Sequence, residues 1–200
     1  MSLSCLAVVR RTFSTGIAVL FLALPAMAQA ASLGALEPYL LLGGDPPWAG
    51  SMEGDSYRLT NATNDADIVY FVAALPGGRA QEVSVNVSVQ PQIGAAYSGA
   101  GLIFNFDSNS RTYLALVLMA TGELAIYQRD NQGVSELARL PTTGIAVEPL
   151  RLSLRTTAEG LTIEANGTHQ GSIGGVGLQG QAGILAIDGG SYLFSDYSVR

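Results

Sequence analysis

Few side chains in this sequence are equipped for chemistry. The one histidine, His169, directly follows the turn Asn166-Gly167-Thr168, and any Ser-His-Asp constellation would need it as the base. No serine elbow accompanies it, so a histidine on a surface hairpin is expected. The one cysteine, Cys5, lies ahead of the apolar leader described below and leaves with it. The remaining chain can hold no disulfide, cysteine nucleophile or thiolate metal site. More suggestive is a group on alternating positions opposite apolar rows: Asn105, Tyr113, Glu123, Tyr127, Arg129, Arg151, Arg155 and Glu164. Tyrosine rings stack on the C–H faces of sugars, and asparagine and arginine fork hydrogen bonds to hydroxyls or carboxylates. Asn105, Tyr113, Tyr127 and Arg129 are the candidate ligand-binding residues. A solvated sheet face would show the same mixture of charges. No residue is assigned a catalytic or metal-binding role.

The elements that must position these side chains are strands. From Tyr57 onward, short apolar or alternating runs are separated by Gly, Asn, Asp and Pro, and no stretch keeps a helical period. The spacing predicts about 12 strands, at 57–60, 67–75, 81–89, 101–106, 112–119, 123–129, 134–140, 150–155, 161–165, 168–173, 180–187 and 192–199. Asn166-Gly167 is a type I′ hairpin signal, and Thr121-Gly122, Asn131-Gln132-Gly133 and Ala158-Glu159-Gly160 punctuate similarly. A short helix is expected only between Ser32 and Leu42. Five rows offer one wall of a core: Leu102, Phe104 and Phe106; Leu114, Leu116 and Leu118; Leu124 and Ile126; Leu150, Leu152 and Leu154; Leu161 and Ile163. The run from Ile68 to Leu75 is apolar on both faces, as a covered central strand would be.

Residues 1–30 read as a cleavable signal peptide. Arg10 and Arg11 form the charged region, Thr12 to Leu24 an apolar stretch, and Ala26-Met27-Ala28 or Ala28-Gln29-Ala30 a small-residue cleavage site. About 13 apolar residues fall short of the roughly 20 that span a bilayer. Arg10-Arg11-Thr12-Phe13 resembles a twin-arginine signal without its usual flanks, so ordinary unfolded export is expected. Residues 31–200 then form one domain with 8 arginines, no lysine and 16 acids, a charge of −8. Such a surface disfavours nucleic acid and anionic headgroups.

Several motifs together resemble the concanavalin A-like lectin/glucanase superfamily, in particular its laminin-G-like and bacterial 3-keto-disaccharide hydrolase-type families. They are Trp48 with Gly54 and Tyr57, Ala100-Gly101-Leu102-Ile103-Phe104, Arg111-Thr112-Tyr113-Leu114, Leu124 to Arg129, Leu150 to Leu154, Asn166-Gly167, Gly180 to Ile184, and Phe194-Ser195-Asp196-Tyr197-Ser198-Val199. The resemblance implies an antiparallel jelly-roll β-sandwich of two sheets, whose concave sheet often carries saccharide. It departs where Pro149-Leu150 replaces a tryptophan often found there. Glycanases of the superfamily carry E-x-D-x-x-E on a central strand. The nearest string, Glu53-Gly54-Asp55-Ser56-Tyr57-Arg58, places arginine at the last acid and lies near the domain's start. Laminin-G-like sandwiches often bind calcium, for which Asn64-Asp65-Ala66-Asp67 is the candidate loop. Its three side chains fall short of the six to eight oxygens calcium takes. Trp48 stands where the resemblance implies a packing residue.

The expectation is thus an all-β sandwich, exported to the periplasm or the medium, that binds a saccharide or envelope polymer without catalysis and needs no cofactor. A second reading is a hydrolase or lyase acting on a modified disaccharide, which requires Glu53, Asp55, Asp107 or Glu123 in a pocket with a perturbed pKa. A third is a structural or protein-interaction domain. Oligomeric state is left open.

Overall fold

Alternation of apolar and polar residues builds two antiparallel sheets in the computed structural model, which describes residues 31–63, 69–73, 78–95, 97–142 and 148–200. The expected leader and the Asn64-Asp65-Ala66-Asp67 loop lie outside the described residues. The chain starts with β1 (Ala31–Ser32), the helix α1 (Leu33–Leu36) and a 3-10 turn (Glu37–Tyr39). There follow β2 (Gly43–Asp45), β3 (Trp48–Glu53), β4 (Ser56–Asn61), β5 (Val69–Ala73) and β6 (Glu82–Pro91). Next come β7 (Gly99–Asp107), β8 (Thr112–Met119), β9 (Glu123–Asp130) and β10 (Gly133–Pro141). The chain closes with β11 (Leu150–Thr156), β12 (Gly160–Ala165), β13 (Thr168–Gly174), β14 (Gln181–Ile187) and β15 (Gly190–Val199). All twelve expected strands are present, and β1, β2 and β3 are additional.

The larger sheet has nine strands, ordered β13-β12-β11-β6-β15-β4-β3-β2 with β1 on β15, and the smaller has six, ordered β10-β9-β8-β7-β14-β5. Their inner faces meet in one core. Val83, Val85 and Val87 come from β6, Leu152 and Leu154 from β11, and Leu102, Leu116 and Leu124 from the smaller sheet, all fully buried. The five apolar rows therefore supply both walls, not one. Phe106 leaves its row, because a bulge between Phe104 and Asp107 shifts the alternation and sends it to the opposite side of the sheet. The segment expected to be central, β5, is an edge strand of the smaller sheet.

The ends of the sandwich are closed by tyrosines. The Tyr57 hydroxyl donates to the Leu41 carbonyl (3.0 Å), and the Leu41 N–H donates to the Tyr70 hydroxyl (2.8 Å), holding the N-terminal segment down. Trp48 is buried between the rings of Tyr70 and Tyr192, at centroid distances of 5.9 and 6.2 Å. Asn166 and Gly167 both adopt positive φ (47° and 75°), as the type I′ turn requires.

Candidate functional site

Strands β7 to β10 form a meander, so side chains close in sequence meet on the outer face of the smaller sheet. The register sets out rungs across that face. Tyr113 opposes Arg129, which opposes Val134. Ala115 opposes Tyr127, which opposes Glu136. Val117 opposes Ala125, which opposes Arg139. On the other flank, Leu185 opposes Gly101 and Ile187 opposes Gly99.

This ordering makes a trough. Gly99, Gly101, Ala115 and Ala125 occupy its middle, while Tyr113, Tyr127, Leu185 and Ile187 stand beside them. Gly101 is also held small by its neighbour, since a Cβ there would run into the Leu116 carbonyl oxygen. A groove of about 380 Å³ results, bounded by Val69, Tyr97, Leu185 and Ile187 on one flank and by Tyr127, Val134, Glu136 and Arg139 on the other. Beneath it lies a second apolar cluster, including Ile103, Val117 and Met119, on the side of the sheet away from the main core.

Polar groups gather at one edge. The Arg139 guanidinium donates twice to Glu136, from Nε (3.1 Å) and from Nη2 (2.6 Å), and once to Glu123 from Nη1 (3.2 Å). The Tyr127 hydroxyl interacts with both members of the Arg139–Glu136 pair. Arg139 holds the Glu136 carboxyl below the usual carboxylate range, and Glu136 in turn pushes the guanidinium further up. The Tyr127 hydroxyl is raised by burial and then by the charge of Glu136, so it stays protonated, donating to the Met119 sulfur at 3.9 Å. At the opposite rim Tyr97 is 56% exposed. Its N–H donates to the buried Asp188 carboxylate (3.1 Å), and the neighbouring Ser98 hydroxyl donates to the Gly189 carbonyl (2.5 Å), which fixes the loop.

The structure brings Tyr113 and Tyr127 to this groove and places Arg129 beside Tyr113 on the same face. Tyr113 is nearly buried in the wall. Asn105 is not brought to them: its amide donates to the Gly177 carbonyl (2.8 Å) and accepts from the Gln179 N–H (2.7 Å), tying down the loop before β14. Arg151, Arg155 and Glu164 belong to the larger sheet, whose outer face is a self-paired polar surface. There Arg151 donates to Ser84 (2.7 Å), and Arg155 pairs with Glu82 (3.3 Å). Glu136 and Arg139 escape sequence reasoning because they are three positions apart, which would put them on opposite faces of a regular strand. A bulge between Glu136 and Ala138 absorbs one residue and turns both outward.

The acids proposed for catalysis are dispersed. Glu53 is exposed and paired with Arg58 (2.5 Å), whose hydrogen bonds lower its pKa. Asp107 accepts from the Asn109 N–H and the Ser110 hydroxyl in an exposed turn, which lowers it as well. Asp55 is exposed in the turn between β3 and β4, and Glu123 is bound to Arg139. His169 is exposed on the edge strand β13, opposite Glu164. Among the described residues no cluster of three or more His, Cys, Asp or Glu could hold a metal, and no helix is long and apolar enough to cross a membrane.

No protein-family model matches the chain, and no curated protein matches it. Solved structures do. A carbohydrate binding module, CBM66 from Bacillus subtilis, superposes with a TM-score of 0.61 at 11% identity, covering 80% of this chain and 100% of that one. A structure described as a native glycosidic hydrolase matches with a TM-score of 0.55 at 7% identity, covering 86% and 94%. A Bacillus subtilis protein of unknown function with a galectin-like fold matches at 0.52 and 15%, covering 76% and 88%. The fold is an antiparallel jelly-roll β-sandwich of two sheets, as in these structures.

Proposed function

We propose that the protein is an exported, non-catalytic saccharide-binding module whose ligand lies in the groove on the outer face of the six-stranded sheet. The observation that carries this reading is the combination in one groove of tyrosine rings with the charged pair Arg139–Glu136. Tyr97 and Tyr127 would contact ring C–H faces, and Arg139, Glu136 and the Tyr127 hydroxyl would hold sugar hydroxyls. The volume lies at the lower end of the range for small-molecule sites, suiting one or two sugar rings. A carbohydrate-binding module among the structures of the same fold is compatible with this use.

The hydrolase reading needs two carboxyl groups flanking a bond, one of them with a raised pKa to act as acid. Glu136 is the acid that lines the groove among the described residues, and the Arg139 guanidinium holds its carboxyl below the usual carboxylate range. That arrangement suits hydrogen-bond acceptance and opposes proton donation.

Thermal shift against a panel of mono- and oligosaccharides, with calcium and EDTA controls, tests the reading, because a ligand that prefers the native state raises Tm. The expected result is a shift with at least one saccharide, lost in Arg139→Ala, with no product released on long incubation. A flat panel removes the reading in favour of a protein partner or a structural role, and product release favours the enzyme. Cell fractionation with N-terminal sequencing checks export, the expected new terminus being Gln29 or Ala31.

A further inference from the structure

The groove is divided in its chemistry. Across its middle and far flank, Leu185, Ile187, Val69 and Ala115 present no side-chain nitrogen or oxygen, and Val134 adds an apolar surface on the near flank. The backbone groups of these strands are engaged in the sheet ladder between β8, β9, β7 and β14. A sugar hydroxyl pressed onto that floor would lose its water partners and gain none, an unfavourable exchange. Charged side chains stand along one edge, where Tyr127, Glu136 and Arg139 meet, while Tyr97 and Tyr113 contribute one hydroxyl each elsewhere on the lining. Charge narrows the choice further: Arg139, the cation lining the groove among the described residues, is already shared by Glu123 and Glu136. An anionic sugar would have to compete with both carboxylates for that guanidinium.

From this division, and resting on the saccharide reading above, we propose that the groove selects a neutral sugar that turns a methyl group onto the floor. A 6-deoxyhexose or an N-acetylated hexosamine provides such a group. Its hydroxyls lie toward Arg139 and Glu136, and its methyl replaces water on Leu185 and Ala115, a gain from apolar burial that a plain hexose lacks. An apolar site discriminates against an added hydroxyl by up to about a hundredfold, which bounds the selectivity.

The test is calorimetric titration of the purified protein with matched methyl glycosides in the gluco, galacto and manno series. Each series supplies the parent hexose, the 6-deoxy sugar, the N-acetyl sugar and the uronic acid. The expected result is binding of a 6-deoxy or N-acetyl member about tenfold or more tighter than its parent, with the uronate weakest. The two methyl sources are separated by which member leads. Parent hexoses binding as tightly as their methyl-bearing partners would overturn the inference while leaving the saccharide reading in place. Silence in every series would end both. Val134→Thr, on the half-exposed flank, and Ala115→Ser, in the floor, each add one hydroxyl with little change of volume. At least one of them should narrow the preference severalfold, and an unchanged preference in both folded variants would also overturn the inference.

Discussion

Trp48 and Tyr127 show how one residue class serves two ends. Both offer large flat surfaces, but Trp48 spends its area inside, 7% exposed and held between Tyr70 and Tyr192. Tyr127 borders the groove and keeps its hydroxyl proton because burial and Glu136 disfavour the phenolate. Truncating Trp48 therefore acts on stability. Trp48→Ala is expected to cost about 3–5 kcal/mol, the range for removing a buried large aromatic. Urea unfolding reads the loss, and at low temperature the folded fraction should bind saccharide as the parent protein does. Weakened binding by folded molecules would overturn this and give Trp48 a part in holding the ligand. Arg139 behaves oppositely, since its ion pairs are solvent-exposed and such pairs contribute about 0–1 kcal/mol.

At the scale of the strand, one extra residue decides what faces the groove. Leu137 falls in the bulge of β10, where Glu136 opposes Tyr127 and Ala138 opposes Ile126. Leu137 is half exposed. Deleting it leaves Glu136, Ala138 and Arg139 in a regular ladder with their facing unchanged, so the deletion should alter stability by no more than about 1 kcal/mol. Deleting Val117 from β8 would instead turn Leu118 and Met119 to the wrong sides and prevent folding. Urea midpoints of the two deletions check the contrast, and a collapse of the Leu137 deletion would mean the bulge itself is required. The same bulges mark where the sequence stops being legible. Alternation revealed the strands and the inward leucines, and Asn-Gly revealed its turn, because both are local. The bulge at Asn105 has no residue signature, yet it turns Phe106 outward and gives the Asn105 amide to the loop before β14. The edge position of β5 was hidden because its outward face fronts an apolar groove and so reads like a covered strand. Pairing of β6 with β15 and β11 joins distant segments and leaves no local trace.

Across the whole molecule, stability without disulfides rests on a core that encloses phenols. Tyr57, Tyr192 and Tyr197 are almost wholly buried, and burial is the leading cause raising the pKa of each far above the ordinary 10. Their folded values exceed their unfolded values, so the contribution to stability is fully present below pH 10 and declines as pH rises above it. Each phenol ionised only in the unfolded chain steepens the decline by about 1.4 kcal/mol per pH unit, or about 4 kcal/mol for three. Against a typical stability of about 5–15 kcal/mol, unfolding is expected within roughly 1–4 pH units above 10. Tyrosinate absorbance should then appear cooperatively with the loss of sheet signal in circular dichroism. A smooth titration of all tyrosines in a folded protein would refute the claim. Tyr197 separates burial from hydrogen bonding, because its hydroxyl has no hydrogen-bond partner among the described residues. Leaving a buried donor unpaired costs about 1–3 kcal/mol, so Tyr197→Phe should raise stability at neutral pH by about 1 kcal/mol and reduce the alkaline slope by one phenol's share. Tyr57→Phe should do the reverse at neutral pH, since it surrenders the bond to the Leu41 carbonyl. Urea unfolding of both variants at neutral and alkaline pH measures each effect, and a destabilised Tyr197→Phe would show that the phenol makes a favourable interaction in the core.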